Sequence, residues 1–323
     1  MRVLLVGLGR WGEKHLRVLA ELGVTVWAAD VSAERRAWAV SRGLDPARVV
    51  ADHRAALDVV DAVDVVTPAD THLDVAGAAL EVGRHCFVEK PLAVTVEDAQ
   101  RLAARAARAG RVLQVGHIFR FHPVTLALRA ALVAGRIGSV RFATARFSGF
   151  KRPRTDVGVT HADAIHYFDL LAFVLDRSPD RVAAVQRDWL GRGLDDMSLT
   201  VVHYGDVVAV VEANYFVPGT HRECVVVGER GSLVADYGAG TLTLHAGEHR
   251  RGTHGWEAVD AGKETLATTG VEPLRAELAA FLDACAGRSA CPVTAEDGVR
   301  ALQVVEAAAQ AARRGESVEL RAE

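Results

Sequence analysis

The sequence predicts an α/β protein of two domains, and three observations support this fold class. The chain has 323 residues, a length that accommodates about two domains of ordinary size. Hydrophobic residues make up 50% of it, which is enough for a core in each domain. Short β-rich segments alternate with helical ones at the start of the chain, whereas strands with hairpin turns dominate its second half.

Residues 1–120 have the alternation of a parallel sheet with crossover helices. The predicted strands are Val3–Val6, Val24–Ala29, Val49–Val50, Val63–Thr67, His85–Val88 and Val112–Val115. The predicted helices are Trp11–Leu22, Ala33–Arg42, Leu73–Val82 and Val96–Ala109. Residues suited to cap or stop helices stand at their ends, namely Ser32, Thr71, Thr95, Gly23, Gly43, Gly83 and Gly110.

Residues 121–323 are predicted to form a second, α+β domain with helices on one side of an antiparallel or mixed sheet. Its predicted strands are Val140–Phe147, Val182–Gln186, Met197–Tyr204, Val207–Phe216, Cys224–Val227, Leu233–Asp236 and Thr241–His245. Its predicted helices are Val124–Ala134, Val159–Leu175, Pro273–Ala286 and Ala295–Arg313. The sequence leaves open whether the last two helices pack back on the first domain.

Composition excludes several classes of protein. The 38 basic and 41 acidic residues give a net charge of −3, which excludes a basic nucleic-acid-binding surface. No apolar stretch approaches the roughly 20 residues of a membrane span, and the N-terminal apolar run is too short for a signal peptide. The four cysteines form no Cys-x-x-Cys pair. We therefore expect a soluble cytoplasmic protein that binds no metal, nucleic acid or membrane.

The segment Gly7–Gly12, Gly-Leu-Gly-Arg-Trp-Gly, follows the first strand and opens the first helix. In such a turn the first glycine allows the tight bend, the second admits a pyrophosphate and the third lets the helix pack on the strand. Asp30 ends the second strand, where a carboxylate accepts hydrogen bonds from ribose hydroxyls and disfavours a 2′-phosphate. Arg35 and Arg36 are interpreted as a solvated helix face. The segment predicts an NAD site, with NADP second, that includes Gly7, Gly9, Arg10, Trp11, Gly12 and Asp30.

Thr67 and Pro68 end the fourth strand of the sheet and come just before His72. Residues at the carboxyl ends of parallel strands lie where ligands bind, so we predict that all three border the cofactor. An ordinary strand-to-helix turn explains them equally well.

Lysine is scarce in this chain, because only four of the 38 basic residues are lysines. Codon usage explains the bias as a whole, but Lys90 follows a strand at the sheet edge where ligands bind, within Glu89-Lys90-Pro91. An amine there hydrogen-bonds a substrate hydroxyl and relays its proton as hydride leaves, which arginine does not do. We predict that Glu89 and Lys90 lie at the cofactor and that Lys90 is catalytic. A surface ion pair between the two is the structural alternative.

Together these motifs resemble the Gfo/Idh/MocA family, the NAD(P)-dependent oxidoreductases of sugars and cyclitols that include glucose–fructose oxidoreductase and inositol dehydrogenase. The matching segments cover nearly the whole chain and are Gly7–Gly12, Asp30, Thr67-Pro68, Glu89–Pro91, Gly116–Pro123, the helix with His166 and Asp169, and Glu272–Leu278. The resemblance implies a Rossmann domain over 1–120 and an open-faced mixed-sheet domain over 121–323 for substrate binding and oligomerisation. It further implies a cis Lys90–Pro91 bond, contact of Lys90 with the reacting hydroxyl, His166 as acid/base group, and a homodimer or homotetramer.

The chain departs from this family near its predicted catalytic histidine. Many members carry aspartate four residues before it, where this chain has Ala162, while Asp163 stands three residues before. Positions three or four apart share a helix face, so Asp163 is expected to orient His166 or contact the substrate, with Asp169 as the alternative orienting group. His161 lies about 140° around the helix from His166, which disfavours a shared zinc site.

Cations gather near the domain junction and before the helix that carries His166. They are Arg120, His122, Lys151, Arg152 and Arg154. Arginine and lysine clamp phosphates and carboxylates, so these residues predict a basic substrate cleft, while a solvated loop is the alternative. The stretch 152–159 also resembles the corresponding loop of nucleotide-sugar 3-dehydrogenases of the family, which favours a nucleotide-linked sugar.

The sequence therefore predicts an NAD-dependent oxidoreductase that moves hydride between the nicotinamide and a secondary alcohol or ketone of a sugar, nucleotide-linked sugar or cyclitol. Two alternatives remain. One is an NAD-dependent glycosidase that oxidises its substrate transiently, and the other is a nonenzymatic NAD-responsive regulator.

Overall fold

The computed structural model describes residues 1–320 and divides into two compact units. The first comprises Met1–Ile118 with Glu272–Leu302, and the second comprises Phe119–Val271 with the described residues from Gln303 onward. The boundary predicted at residue 120 falls within the short 3-10 turn Ile118–Phe121, where the units divide. The segment Glu272–Leu302 joins the first unit, which residue order alone did not determine.

The first unit contains a six-stranded parallel sheet. Its strands are β1 Arg2–Val6, β2 Thr25–Ala29, β3 Val49–Val50, β4 Ala62–Val65, β5 His85–Glu89 and β6 Leu113–Gly116. Its first four helices are α1 Gly12–Glu21, α2 Ala33–Ser41, α3 His72–Glu81 and α4 Val96–Ala109. The strand order β3-β2-β1-β4-β5-β6 reverses between β1 and β4, which is where ligands bind in sheets of this kind.

The core of the first unit lies on both faces of this sheet. Four of the five residues of β1 are buried, as expected for a strand covered on both sides. The helix Pro273–Cys285 follows the second sheet in the sequence but contributes Leu278 and Phe281 to this core, and the ring of Phe281 meets that of Phe87 at 5.7 Å. Burying such side chains contributes about 1.5–3 kcal/mol each, so this late helix is part of the first unit's stability.

The residues predicted to cap or stop the first four helices occupy those positions, and among the three cap residues Thr71 differs in its side-chain contact. The Ser32 hydroxyl accepts from the Arg35 N–H, the Thr95 hydroxyl accepts from the Asp98 N–H, and all four predicted stop glycines have positive φ. Thr71 occupies the predicted N-cap position of α3, but its side chain makes no capping hydrogen bond. A 3-10 turn at Ala69–Thr71 precedes that helix, and the Thr71 hydroxyl donates to the Pro68 carbonyl instead.

The second unit contains a nine-stranded mixed sheet. Its strands are β7 Val140–Gly149, β8 Arg181–Arg187, β9 Met197–Tyr204, β10 Val207–Asn214, β11 Thr220–Gly228, β12 Gly231–Asp236, β13 Thr241–Gly252, β14 Gly255–Leu266 and β15 Val318–Glu319. Their order is β14-β13-β12-β11-β7-β10-β9-β8-β15, and only the β7–β10 pair is parallel among the pairs described. The remaining α-helices, in chain order, are α5 Pro123–Val133, α6 Ile165–Leu175, α7 Pro273–Cys285 and α8 Ala295–Arg314.

Two features of this sheet were absent from the predictions. Strand β14 was not predicted and β13 is longer than expected, because most residues of their outer part are exposed on both faces and show no apolar alternation. Strand β15 has only two residues and its pairing with β8 is not visible in local sequence.

One face of the second sheet is covered and the other is exposed. Burial alternates along β9 and β10, as expected for a sheet packed on one side. Helix α5 packs against β12 and β13, and the Tyr204 hydroxyl of β9 donates to a carbonyl of α6. The fold class is thus confirmed: a parallel Rossmann-type sheet followed by a mixed sheet. Across residues 1–320, every helix is too short or too polar to cross a membrane.

Candidate active site

The glycine turn after β1 has one open position. Gly7 has φ +98°, and a Cβ there would lie 2.5 Å from the Val66 carbonyl oxygen. A Cβ on Gly12 would lie 2.0 Å from the Gly7 oxygen, whereas a Cβ on Gly9 would meet no described atom within 4 Å. The fold itself therefore requires glycine at the first and third positions. The second position leaves the space that a pyrophosphate needs to approach backbone N–H groups, so the turn fits a dinucleotide.

Asp30 is held beside this turn by backbone N–H groups. Its Oδ2 accepts from the Leu8 N–H at 2.7 Å, and its Oδ1 accepts from the Ser32 N–H at 2.8 Å. A carboxylate has about four acceptor positions, so each oxygen keeps capacity for a ribose hydroxyl. The side chain is thereby oriented for the role predicted from the sequence.

Arg35 and Arg36 are engaged by the protein. Arg35 Nε donates to the Leu8 carbonyl at 2.6 Å, and its Nη2 pairs with Glu13 at 2.5 Å. Arg36 Nη1 donates to the carbonyls of Asp30 and Val31 at 2.7 and 3.0 Å. Neither arginine is simply solvated, as the sequence suggested, because Arg35 braces the glycine turn and Arg36 braces the loop that carries Asp30.

The edge formed by the ends of β4 and β5 is supported from below by His72. This histidine is 1% exposed, with Nδ1 2.9 Å from the Pro91 carbonyl and Nε2 3.0 Å from the Thr67 carbonyl. Burial lowers its pKa, against the opposing effect of the two carbonyl acceptors. Thr67 and Pro68 have accessible surface at this edge, whereas His72 lies beneath it.

The Lys90–Pro91 peptide bond is cis, as the resemblance implied. Glu89 is buried at 8% exposure, and its Oε1 accepts from the Trp11 indole N–H at 2.7 Å. Its Oε2 accepts from the Lys90 backbone N–H at 3.2 Å. Burial opposes ionisation, but His15, Trp11 and Lys90 outweigh it and lower the pKa of Glu89. The carboxylate that precedes Lys90 is thus an internal, charged group, and Lys90 itself is half-buried.

In the second unit, His166 and Asp163 lie close to a break in helical geometry. Thr160–Ala164 form a π-helical turn directly before α6, a conformation frequent at functional sites. Asp163 is 6% exposed and His166 is 7% exposed. The His166 ring stacks on Phe147, with centroids 5.3 Å apart and planes at 11°. The histidine is therefore held flat against an aromatic ring.

The predicted cation cluster is largely paired with carboxylates. Lys151 Nζ lies 2.8 Å from Asp163 Oδ2 and 4.9 Å from the centre of the Phe147 ring. Arg154 Nε donates to Asp156 at 2.8 Å, and Lys151, Arg152 and Arg154 are all exposed. The positive charge available to an anionic substrate is thus smaller than the sequence suggested.

Arg120 and His122 also have partners within the second unit. Arg120 Nε donates to both oxygens of Asp169 at 2.9 and 3.0 Å, and the ion pair is nearly inaccessible. His122 Nδ1 accepts from the Val124 N–H at 3.2 Å and so caps α5. Their predicted contact with substrate stays a prediction, and both have a clear structural task.

Sequence reasoning missed several residues that shape these regions. His15 and Asp64 contact each other at 2.9 Å inside the first unit, and the one signal was a carboxylate within the apolar strand β4. Arg222 lies 3.4 Å from the centre of the Phe147 ring on which His166 stacks. Asp195 accepts from the N–H and hydroxyl of Thr160 at 2.9 and 2.6 Å and so fixes the π-helical turn. Nothing in the local sequence indicated the contacts of Arg222 and Asp195.

Within residues 1–320, no group of three or more His, Cys, Asp or Glu side chains is arranged to hold a metal ion. This includes the surroundings of His161, Asp163 and His166.

The open glycine turn, the oriented Asp30 and the lysine that follows β5 fit a dinucleotide-dependent oxidoreductase. Comparison with protein families agrees. Residues 1–117 match the NAD-binding Rossmann-fold domain of the Gfo/Idh/MocA oxidoreductase family, and residues 129–320 match its C-terminal alpha/beta domain. The chain belongs to this family.

Its relatives include enzymes with different substrates. The chain is 31% identical to inositol 2-dehydrogenase 1 of Saccharopolyspora erythraea, over 99% of this chain and 96% of the relative. It is also 31% identical to the UDP-N-acetylglucosamine 3-dehydrogenase of Acidithiobacillus ferrooxidans, over 96% of both. A crystal structure of the latter has a TM-score of 0.83 at 27% identity, covering 97% of this chain and 98% of that one. Levoglucosan dehydrogenase in complex with NADH and levoglucosan shares the fold, with a TM-score of 0.85 at 22% identity and complete coverage of both chains.

Proposed function

We propose that the protein is a dehydrogenase or ketoreductase that transfers hydride between NAD and a secondary alcohol or ketone carbon of a sugar or cyclitol. One observation carries the proposal. Lys90 directly follows β5, at the carboxyl edge of the sheet whose glycine turn, open at Gly9, fits a dinucleotide. A proton-exchanging amine therefore belongs to the same ligand-binding edge as the predicted cofactor site.

When bound, NAD supplies the nicotinamide carbon that accepts or donates the hydride. In the oxidative direction, Lys90 Nζ hydrogen-bonds the reacting oxygen and stabilises its growing negative charge. The hydroxyl proton leaves by way of Lys90 to solvent, and a carbonyl forms on the substrate, while His166 is the second proposed acid/base group. Asp163 orients His166 or holds a substrate hydroxyl, with Lys151 as its counter-ion. The ketoreductase direction reverses these proton movements.

We propose NAD rather than NADP as the coenzyme. Asp30 has carboxylate oxygens suited to ribose hydroxyls, and its charge would repel a 2′-phosphate. The two arginines that follow are occupied with Glu13 and with backbone carbonyls, which limits their use as phosphate ligands.

The substrate class is a polyhydroxylated ring, free or nucleotide-linked. The similarity to an inositol dehydrogenase and to a UDP-sugar dehydrogenase supports both forms, with 31% identity to each. Exposed Arg152 and the loop resemblance favour a nucleotide-linked sugar, whereas the pairing of Lys151 and Arg154 favours a free one. The named relatives are dehydrogenases and reductases, which favours net oxidation or reduction over glycosidase chemistry or regulation without catalysis.

We also propose a homodimer or homotetramer assembled through the exposed face of the second sheet. Large apolar side chains on its strands are 39–45% exposed, namely Phe142, Val185, Leu199 and Val210. Exposed apolar residues on neighbouring strands of one sheet are typical of an interface.

The test is to follow NADH formation with free inositols, free hexoses and UDP-linked hexoses, offering NAD and NADP separately. We expect turnover with at least one of these substrates, and at least about tenfold higher kcat/KM with NAD. Turnover confined to free polyols would reject the nucleotide-linked form. NAD binding without turnover of any substrate would reject the enzyme proposal and favour a regulator. Cleavage of nitrophenyl glycosides without accumulation of NADH would favour the glycosidase.

A further inference from the structure

Three buried ionisable side chains lie in a row beneath the carboxyl edge of the sheet, where Lys90 follows β5. Asp64 of β4 and His15 of α1 are fully inaccessible, and Glu89 of β5 is 8% exposed. Three separate elements of the first unit thus bring their charged groups together in its interior. Buried charges are costly unless each has a partner, so their arrangement needs a reason.

The His15 ring bridges the two carboxylates. Its Nδ1 lies 2.9 Å from Asp64 Oδ2, and its Nε2 lies 3.2 Å from Glu89 Oε1. Nδ1 hydrogen-bonds Asp64, whereas the Nε2 contact with Glu89 lies outside hydrogen-bond geometry and is an ion contact, so a protonated ring attracts both carboxylates. Burial works against that charge, but the two carboxylates outweigh it and raise the pKa of His15 to about 10. Burial raises the pKa of Asp64, against the opposing effect of His15.

Aromatic rings fix the orientation of this histidine. Trp11 and Phe87 both meet the His15 ring edge-on, with centroids 5.9 and 5.7 Å away. The imidazole therefore has little freedom to rotate away from either carboxylate.

Glu89 carries the effect of His15 outward. Its Oε1 also accepts from the Trp11 indole N–H at 2.7 Å, and its Oε2 accepts from the Lys90 N–H at 3.2 Å. On the neighbouring strand, a Cβ at Gly116 would lie 3.0 Å from Glu89 Cδ, so glycine makes room for the carboxylate. One carboxylate thus connects the glycine turn with the catalytic lysine segment.

We infer that His15 is a positioning residue, whose Nε2 contact fixes the Glu89 carboxylate and, through it, both Trp11 in the glycine turn and the backbone of Lys90. The inference rests on the proposed dehydrogenase function and assigns that site a support from outside the ligand-binding surface. His15 itself is inaccessible and contacts neither coenzyme nor substrate. Its contact with Asp64 holds the ring, and its contact with Glu89 has the functional effect.

Two substitutions separate these contacts. In His15→Gln the amide nitrogen replaces Nε2 and keeps Glu89, whereas in His15→Asn it replaces Nδ1 and keeps Asp64. We expect H15Q to retain kcat and NAD affinity within about threefold, and H15N to lose about 10²-fold in kcat, the cost of a misplacement near 1 Å, together with tenfold or more in NAD affinity. The thermal midpoint falls in both variants, because each leaves one buried carboxylate without its partner.

The measurements are kcat, KM, direct titration of NAD binding and thermal unfolding on the full chain. His53→Gln is the matched control, since His53 is also buried in the first unit but contacts Asp52 instead. It should lower the thermal midpoint without changing kcat. Equal kinetic losses in H15Q and H15N, or losses that follow the thermal midpoint alone, would overturn the positioning role.

Gly116→Ala provides a second route if the His15 variants fail to fold. Its Cβ would displace the Glu89 carboxylate by a few tenths of an ångström without removing a charge, and it should reduce kcat and NAD affinity together. Unchanged kcat and affinity in G116A would overturn the inference. A wild-type chain that binds NAD but turns over no sugar or cyclitol would instead remove the proposed function, while a loss of NAD affinity in H15N alone would still support positioning of Trp11.

Discussion

Lys90 and Lys151 each lie next to a carboxylate, and the surroundings of these two carboxylates differ. The carboxylate beside Lys90 belongs to Glu89, which is buried and bound by Trp11 and faced by His15. The carboxylate that pairs with Lys151 belongs to Asp163, and the Lys151 side chain is 36% exposed over aromatic rings. The first arrangement is fixed by several internal partners, while the second depends on one partly solvated ion pair. The fixed arrangement around Lys90 is what we expect beside a coenzyme that relatives share. The looser pair at Lys151 is what we expect beside a substrate that differs between relatives.

The largest effect on activity is expected when the amine of Lys90 is removed. We expect Lys90→Met to lower kcat by about 10²–10⁴, the usual contribution of a proton-transfer group, while NAD affinity stays within about threefold. Single-turnover NADH formation and direct NAD titration measure the two effects.

Lys263→Met is the control for this substitution, because Lys263 lies on the exposed hairpin strand β14 and has no proposed role. It should leave kcat unchanged. Wild-type turnover in K90M would mean that Lys90 has no catalytic role.

A smaller effect should come from pH. The pKa of His15 is raised from 6.5 to about 10 in the folded chain, so its stabilisation is complete below pH 6.5 and is lost as pH rises toward 10. Between pH 7 and 8.5 we expect the free energy of unfolding to fall by about 1.4 kcal/mol per pH unit.

Denaturant unfolding at several pH values measures this slope. H15Q carries no titrating ring, so its unfolding free energy should change less over the same range. Identical slopes in wild type and H15Q would show that His15 does not carry the buried proton.

The smallest effect is expected at the second lysine. A double-mutant cycle with Lys151→Met and Asp163→Asn should give a coupling of about 1 kcal/mol or less in unfolding free energy, because the pair is partly solvated. The coupling should decrease at high salt. A coupling of about 3 kcal/mol, insensitive to salt, would mean that this pair is as fixed as the groups around Glu89.

The comparison also explains which parts of the molecule could be predicted. The turn with Gly7, Gly9 and Gly12 and the strands beside it have local signals, because glycine positions and apolar runs act within a few residues. The contacts of Glu89 with Trp11 and of Asp169 with Arg120 join residues 78 and 49 positions apart, and no local pattern reports them. Sequence reasoning therefore named Lys90 and His166 as candidates but did not predict the contacts that Glu89 and Asp169 make nearby.

The outer hairpin of β13 and β14 could not be predicted for a different reason. Strand β14 forms by pairing with β13, although both expose most of their outer residues to solvent. Strand prediction from sequence depends on one apolar face, and this ribbon has none, so its existence follows from backbone pairing alone.

The three glycines of the turn differ in how much space surrounds them, and this difference predicts which of them can change during evolution. Gly7 and Gly12 are excluded from change by neighbouring backbone oxygens, whereas the space beside Gly9 is free of described protein atoms. Folding therefore constrains the outer two glycines, and a ligand is what constrains the middle one. A descendant that no longer bound a coenzyme would be expected to retain Gly7 and Gly12 but to accept other residues at Gly9. The residue at this one position would then distinguish descendants that bind the coenzyme from those that have lost it.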